Sequence, residues 1–207
     1  MKRQEINIAV LVSGGGTNLQ ALINAEKTGI LHSGKIRLVL SDKEDAYALT
    51  RAKEAGIATA VASGKELGQS GMETRILTLL RDYRIDLVVL AGFMCILSAD
   101  FTRGLERRII NIHPSLIPSF CGEGFYGLRV HRAALEKGVK VTGATVHFVN
   151  EIPDGGKIIM QKAVNVREND TPESLQKRVM RLAEWKILPA ATELVAAGIL
   201  NEEEQAL

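Results

Sequence analysis

Cysteine is nearly missing from this chain: two occur in 207 residues, and Cys95 and Cys121 form neither a CxxC pair nor a recognised metal-ligand spacing. That argues against a disulfide-stapled secreted domain or a structural zinc site and suits a reducing cytoplasm. No apolar run approaches the roughly 18 residues a membrane span needs. Met1-Lys2-Arg3 leads toward an apolar stretch, but Gln4, Glu5 and Asn7 break it and no small-residue cleavage site follows, which argues against a signal peptide. Charge of one sign is lacking too. Lys plus Arg total 26 against 24 Asp plus Glu, a net charge of +2. There is no bulk electrostatic reason to expect a nucleic acid or an anionic membrane as partner, and any anion site must be local. No internal repeat, low-complexity tract or linker divides the chain. His32, His131 and His147 are too scattered to form a metal set, and His32 and His131 read as surface and loop residues.

What is present suits one large core. At 46% hydrophobic residues, the length fits a single α/β domain over 1–207, with an N-terminal half to about residue 105 and a C-terminal half from about 106. Ile6 to Val12 reads as a strand buried on both faces, and Ser13-Gly14-Gly15-Gly16-Thr17-Asn18 leads directly into the helical pattern of Leu19, Leu22 and Ile23. In a strand, glycine loop and helix of this kind, converging N–H groups and the helix start can hold a phosphate. The same loop can equally be a tight packing turn. Thr17 or Asn18 would cap the helix or bind the anion. Lys35 to Leu40 is a second strand closed by Asp42, which invites a dinucleotide reading. However, Leu19 stands where the third fingerprint glycine belongs, and no Lys-Ser/Thr pair makes a P-loop. A nicotinamide cofactor is therefore not expected.

Asn111-Ile112-His113-Pro114-Ser115-Leu116-Ile117-Pro118 concentrates the chemistry. If Asn111 and His113 close a strand, both project from one pleat face and can act on one substrate atom, while the prolines stiffen the exit. A buried, hydrogen-bonded histidine beside a turn is the plainer alternative. Asp86 to Ala91 is a strongly apolar strand. Gly92-Phe93-Met94-Cys95-Ile96-Leu97 stays apolar beyond it, either folding onto the core or lining a pocket for a flat ligand. The strand ends at Ser13, Gly92 and Asn111 should share one edge of a mostly parallel sheet. Cys121 to Gly127, rich in glycine and aromatics, reads as a mobile covering loop. Thr145 and His147 share one face of a strand that leads to Pro153-Asp154-Gly155-Gly156, where Asp154 either only makes the turn or returns a carboxylate to His113. Thr171-Pro172 starts the last helical stretch, Pro189 should kink or interrupt it, and Glu202-Glu203-Glu204 marks a fraying tail.

Taken together, Ser13 to Gln20, Ala91 to Ser98, Asn111 to Pro118, Thr145 to Val149 and Asp154-Gly155-Gly156 resemble the phosphoribosylglycinamide formyltransferases, folate-dependent enzymes of purine synthesis. The resemblance runs from Ile6 to about Leu200. It implies a Rossmann-like, mostly parallel twisted sheet flanked by helices, the formyltransferase fold, with Asn111, His113 and Asp154 as catalytic residues. It also implies phosphate and ribose contacts from Gly14, Gly15, Gly16, Thr17, Asn18, Arg181 and Glu184, and a folate pocket of Met94, Cys95, Ile96 and Leu97, to which His147 is added. The implied substrates are glycinamide ribonucleotide and 10-formyltetrahydrofolate, with no metal, nicotinamide, nucleic acid or membrane, in the cytoplasm. A homodimer is left open. The family often has arginine at Cys95, histidine at Trp185 and proline at Lys157, and the Cys121 to Gly127 loop is longer here.

The expected reaction is attack of the substrate amine on the formyl carbon. Asn111 and a protonated His113 would stabilise the oxyanion, and Asp154 would raise the imidazole pKa and relay protons. A formyl thioester on Cys121 is a weak alternative, because no base is assigned to it. The rivals are a formyltetrahydrofolate deformylase, for which an N-terminal regulatory domain is expected, and a non-catalytic nucleotide-binding module. Methionyl-tRNA formyltransferase would need a C-terminal domain and a basic face.

Overall fold

The computed structural model describes residues 4–205; Met1, Lys2 and Arg3, part of the signal-peptide argument, lie outside the described residues. Seven strands form one sheet in the order β3-β2-β1-β4-β5-β6-β7. Strands β1 (Ile6–Val12), β2 (Gly34–Ser41), β3 (Ala58–Val61), β4 (Leu87–Leu90) and β5 (Ile109–His113) are parallel. Strands β6 (Val141–Phe148) and β7 (Ile158–Asn165) extend the sheet antiparallel. The helices are α1 (Thr17–Thr28), α2 (Tyr47–Glu54), α3 (Gly64–Asp82), α4 (Ala99–Gly104), α5 (Leu128–Lys137), α6 (Pro172–Val179) and α7 (Trp185–Gln205). No described helix is long and apolar enough to cross a membrane.

The central strands are apolar throughout because both faces of the sheet are covered. Ile8, Val10 and Val12 of β1 join Ile110 and Ile112 of β5 in one core layer with residues of α1, α6 and α7. Ala9 and Leu11 pack in the other layer with Leu90, Ile109 and the α3 side chains Met72, Ile76, Leu79 and Leu80. Strand order reverses at β1, which lies between β2 and β4, and a crevice opens where connections diverge beyond the carboxyl ends. The ends of β1 and β4 are tied there: the Ser13 N–H donates to the Gly92 carbonyl at 3.0 Å and the Met94 N–H to Ser13 Oγ at 2.8 Å. The expected shared edge is present.

Two local expectations change. The break expected at Pro189 occurs one turn earlier, in a π-turn over Met180–Glu184, and α7 then continues through the proline to Gln205. Proline has no N–H to give residue 185, so resetting the bonding just upstream lets the helix absorb it. Helix α7 also runs through the glutamates predicted to fray, since glutamate is a good helix former.

Gly16 is the N-cap of α1, with φ 70° and no side-chain cap bond, so neither Thr17 nor Asn18 fills the capping role. A Cβ at Gly16 would lie 2.6 Å from that of Ala48. Gly16→Ala is expected to lower stability by roughly 1–3 kcal/mol, seen as a fall in urea midpoint at constant slope; an unchanged midpoint would contradict this reading of the loop.

Candidate active site

Strand β5 alternates Ile110 and Ile112, packed into one core layer, with Asn111 and His113 on the opposite pleat face. Strand β6 pairs His147 with Asn111 and Thr145 with His113. Thr145 then shapes the exit: its hydroxyl donates to the Ser115 carbonyl at 2.7 Å and accepts the Ile117 N–H at 3.1 Å. Buried Ser115 donates to the Ser119 carbonyl, so the segment after His113 is fixed by hydrogen bonds as well as by proline.

Asp154 closes the cluster. Its φ is 56°, a left-handed conformation unusual for a residue with a side chain, and it precedes two glycines. Gly156 has no room for a Cβ against the Phe148 carbonyl. The turn thus aims the carboxylate back at the sheet. Asp154 Oδ2 lies 3.3 Å from His113 Nδ1 and Oδ1 lies 3.4 Å from His147 Nε2. The Gly122 N–H donates to Oδ2 at 2.9 Å, bringing the Cys121 to Gly127 loop onto the same group.

The partners assign the protons. His113 Nε2 lies 2.9 Å from the Phe120 carbonyl and His147 Nδ1 lies 2.8 Å from the Phe148 carbonyl; carbonyls only accept, so both nitrogens carry hydrogen. His147 Nε2 lies 3.2 Å from Asn111 Nδ2 and 3.4 Å from Asp154 Oδ1, so it stands between the amide and the carboxylate. Burial pushes the His113 imidazole below its ordinary value, against the opposing pull of Asp154 and the Phe120 carbonyl. This corrects the expectation of a raised imidazole: desolvation of a cation in this cleft outweighs its counter-charge. Burial alone would raise Asp154, but the His147 contact, the His113 charge and the Gly122 N–H hold it below the usual carboxylate range.

The cluster lies in a cleft of about 820 Å³ whose walls include Asn18 and Glu184 on one side and Met94, Cys95 and Ile96 on another. Gly14 and Gly15 are exposed, with nothing near where a Cβ would stand. Asn18 Nδ2 donates to Glu184 Oε2 at 2.7 Å, while Asn18 Oδ1 is buried without a partner. Glu184, on the π-turn, is almost wholly buried and its carboxyl is pushed up to about 7 by that burial. Arg181, one residue into the same turn, is exposed and does not line the cleft. Thr17 lines a separate groove between α1 and α7. Leu97 turns into the core and, with His147, borders only a smaller cavity of about 130 Å³ behind Asn111.

His131 is a further correction. It is fully buried on the inner face of α5, lines the cleft, and both ring nitrogens lack partners. Burial, with the charge of His113, takes its imidazole down to about 4. Its spacing from Ala134 marks the inner helix face, a signal obscured by the flanking arginines. His32 is exposed beside Glu193. Lys43, Gln176 and Met180 also line the cleft, and nothing local in the sequence singles them out. Burial and Asp154 push the Cys121 thiol up, away from nucleophilic thiolate character. Among the described residues, no cluster of three His, Cys, Asp or Glu side chains is arranged to hold a metal ion.

Comparison with known proteins gives a consistent picture. The sequence profile described as formyl transferase matches residues 6–192. The chain is 41% identical to the phosphoribosylglycinamide formyltransferase of Escherichia coli (strain K12), covering 97% of this chain and 92% of that protein. It is 43% identical to the trifunctional purine biosynthetic protein adenosine-3 of Gallus gallus over 99% of this chain, which spans about a fifth (20%) of that relative's length. Glycinamide ribonucleotide transformylase 1 from Symbiobacterium toebii superposes with a TM-score of 0.88 at 41% identity, covering 95% of this chain and 90% of that one.

Two titration outcomes follow. Asp154→Asn removes the negative charge that favours the imidazolium, so the His113 pKa falls further; imidazole NMR that showed it rising would contradict the assignment. Glu184 binds its proton more tightly folded, near 7, than its ordinary 4.5. Its contribution therefore favours the folded state most below the unfolded pKa and declines as pH rises toward 7. Glu184→Gln should abolish that decline and gain on the order of 3 kcal/mol at pH 8 relative to wild type in urea melts, whereas equal pH profiles would contradict it.

Proposed function

The chain belongs to the formyl transferase family, and on that premise we propose that it transfers the formyl group of 10-formyltetrahydrofolate to the amine of glycinamide ribonucleotide, in the cytoplasm. One observation carries the reading. Two hydrogen-bonding groups, Asn111 Nδ2 and His113 Nε2, lie in one cleft walled by Asn18, at the start of α1 after the glycine loop, by Glu184 and by the apolar Met94 to Ile96 loop, with the Asp154 carboxylate on His113. An anionic ribonucleotide and a flat formyl donor approaching from those two sides would meet between them.

The phosphate takes the N–H groups of Gly14, Gly15 and Gly16 at the α1 start, with Thr17 and Asn18 beside it, and the ribose hydroxyls take Glu184. Arg181 is the second phosphate contact, reaching it from its exposed position on the π-helical turn. The pterin lies along Met94, Cys95 and Ile96. This divides one domain into a phosphate-holding half, to about residue 105, and a catalytic half.

In the reaction the free amine attacks the formyl carbon, and the carbonyl oxygen, becoming an oxyanion, replaces the Phe120 carbonyl on His113 Nε2 while also accepting from Asn111 Nδ2. The donor on His113 is Nε2–H, the nitrogen that faces the Phe120 carbonyl; burial disfavours the imidazolium while Asp154 beside Nδ1 favours it. Asp154, ionised, accepts through water the proton shed by the attacking nitrogen, and folate N10 receives one on leaving, so no net proton is consumed. Neither a metal nor a nicotinamide takes part.

The test mixes 10-formyltetrahydrofolate with the protein, with and without glycinamide ribonucleotide, and follows tetrahydrofolate release. Release only with the ribonucleotide is expected; release without it would make the protein a hydrolase, and no release a binding module. Asn111→Ala and His113→Ala should each lower kcat by at least ~10², the usual worth of one oxyanion donor, whereas Cys121→Ser should retain activity. Full activity in His113→Ala, or loss in Cys121→Ser, overturns this mechanism.

A further inference from the structure

The apolar loop after β4 stays open toward the cleft, with Met94 and Ile96 more than half exposed. Left free, such a segment would fold onto itself or the core. Its leading end is tied to Ser13. The trailing end is held from α3, an element that contributes nothing to the cleft wall. Glu73, buried to 9% exposure, accepts the Ser98 N–H on Oε1 and the Ser98 hydroxyl on Oε2, both at 2.6 Å. Gln69 donates from Nε2 to the Ile96 carbonyl at 3.2 Å. Ser98 in turn caps α4 by accepting the Phe101 N–H.

The sequence prepares this clamp. Gln69 and Glu73 are four apart and share a helix face. Gly68, at φ 69° and ψ 173°, breaks α3 immediately before Gln69, so the second part of the helix starts in a new direction with both side chains toward the loop. A carboxylate with both oxygens engaged by one serine is a charge-assisted, two-point fixture, stiffer than a neutral contact.

We propose that Glu73 and Gln69 are positioning residues for the formyl donor: they set the shape of the Met94 to Leu97 backbone and thereby the affinity of the cleft for the flat folate ring, without touching it. The proposal rests on the reading of this loop as the folate wall. A role confined to stability would lower active protein and leave the kinetic constants of the folded fraction unchanged; a positioning role raises one KM selectively.

The experiment compares Glu73→Gln, Gln69→Ala and Ser98→Ala with wild type by thermal melting, by steady-state kinetics in both substrates, and by direct titration with tetrahydrofolate. Gln69→Ala, on the exposed part of the helix, guards against misfolding of the buried variants. Glu73→Gln and Ser98→Ala should raise KM for 10-formyltetrahydrofolate and Kd for tetrahydrofolate about tenfold, the worth of one charged hydrogen bond, with KM for the ribonucleotide within about twofold of wild type. Their double variant should be little worse than either alone, since both break the same contact. Gln69→Ala should shift the same two constants in the same direction by a smaller factor. Equal changes in both KM values, unchanged constants in folded protein, or additive losses in the double variant would overturn the proposal. If wild type binds no tetrahydrofolate, it is the folate reading that fails, a separable outcome.

Discussion

A single carboxylate organises the candidate active site of this protein. Asp154 sits between His113 and His147, and each imidazole has its other nitrogen committed to a backbone carbonyl. That arrangement puts a hydrogen on His113 Nε2 and His147 Nδ1 and sets His147 Nε2 against the Asn111 amide. Burial opposes an ionised acid here, and the His147, His113 and Gly122 N–H contacts offset it, while a left-handed Asp154 before a Gly156 that has no room for a Cβ aims the carboxylate. The fold supplies the frame, since the antiparallel pairing of β5 and β6 brings Asn111 and His147 opposite one another.

The same end of the sheet brings two loops of opposite character together. On one side a glycine loop starts α1, beside a buried Asn18 and Glu184 pair. On the other an apolar loop is suspended between Ser13 and Glu73. Neither surface is unusual alone. Their convergence on one polar cluster, at the point where strand order reverses, is what makes transfer between two bound molecules a coherent reading. The Phe120 carbonyl and the Gly122 N–H link the covering loop to His113 and Asp154, the two groups on which the proposed chemistry depends, so the position of that loop and the state of His113 are coupled.

Much of this was legible in the sequence. The buried strand Ile6 to Val12, the shared edge at Ser13, Gly92 and Asn111, and the common pleat face of Asn111 and His113 follow from periodicity and from the period-two rule. Asp154 was readable as a turn residue, and its second role depended on a tertiary return that no local pattern encodes. The sign of the His113 shift was misjudged because sequence shows the neighbouring charge and not the depth of burial that opposes it. His131 was assigned to a loop because flanking arginines masked its helical register. Arg181 follows the family pattern, yet its side chain faces solvent. Pro189 warned of a break but not of the π-turn that absorbs it. The clamp on Ser98 joins residues 25 apart through side chains whose pairing only the fold reveals.

The most direct test of the account is a crystal structure with glycinamide ribonucleotide and a stable formyl-bearing folate analogue bound together. The account predicts the formyl oxygen within ~2.7–3.1 Å of both Asn111 Nδ2 and His113 Nε2, with the Phe120 carbonyl displaced and Asp154 still between the two imidazoles. A formyl oxygen bound elsewhere, with Phe120 remaining on His113, would contradict it.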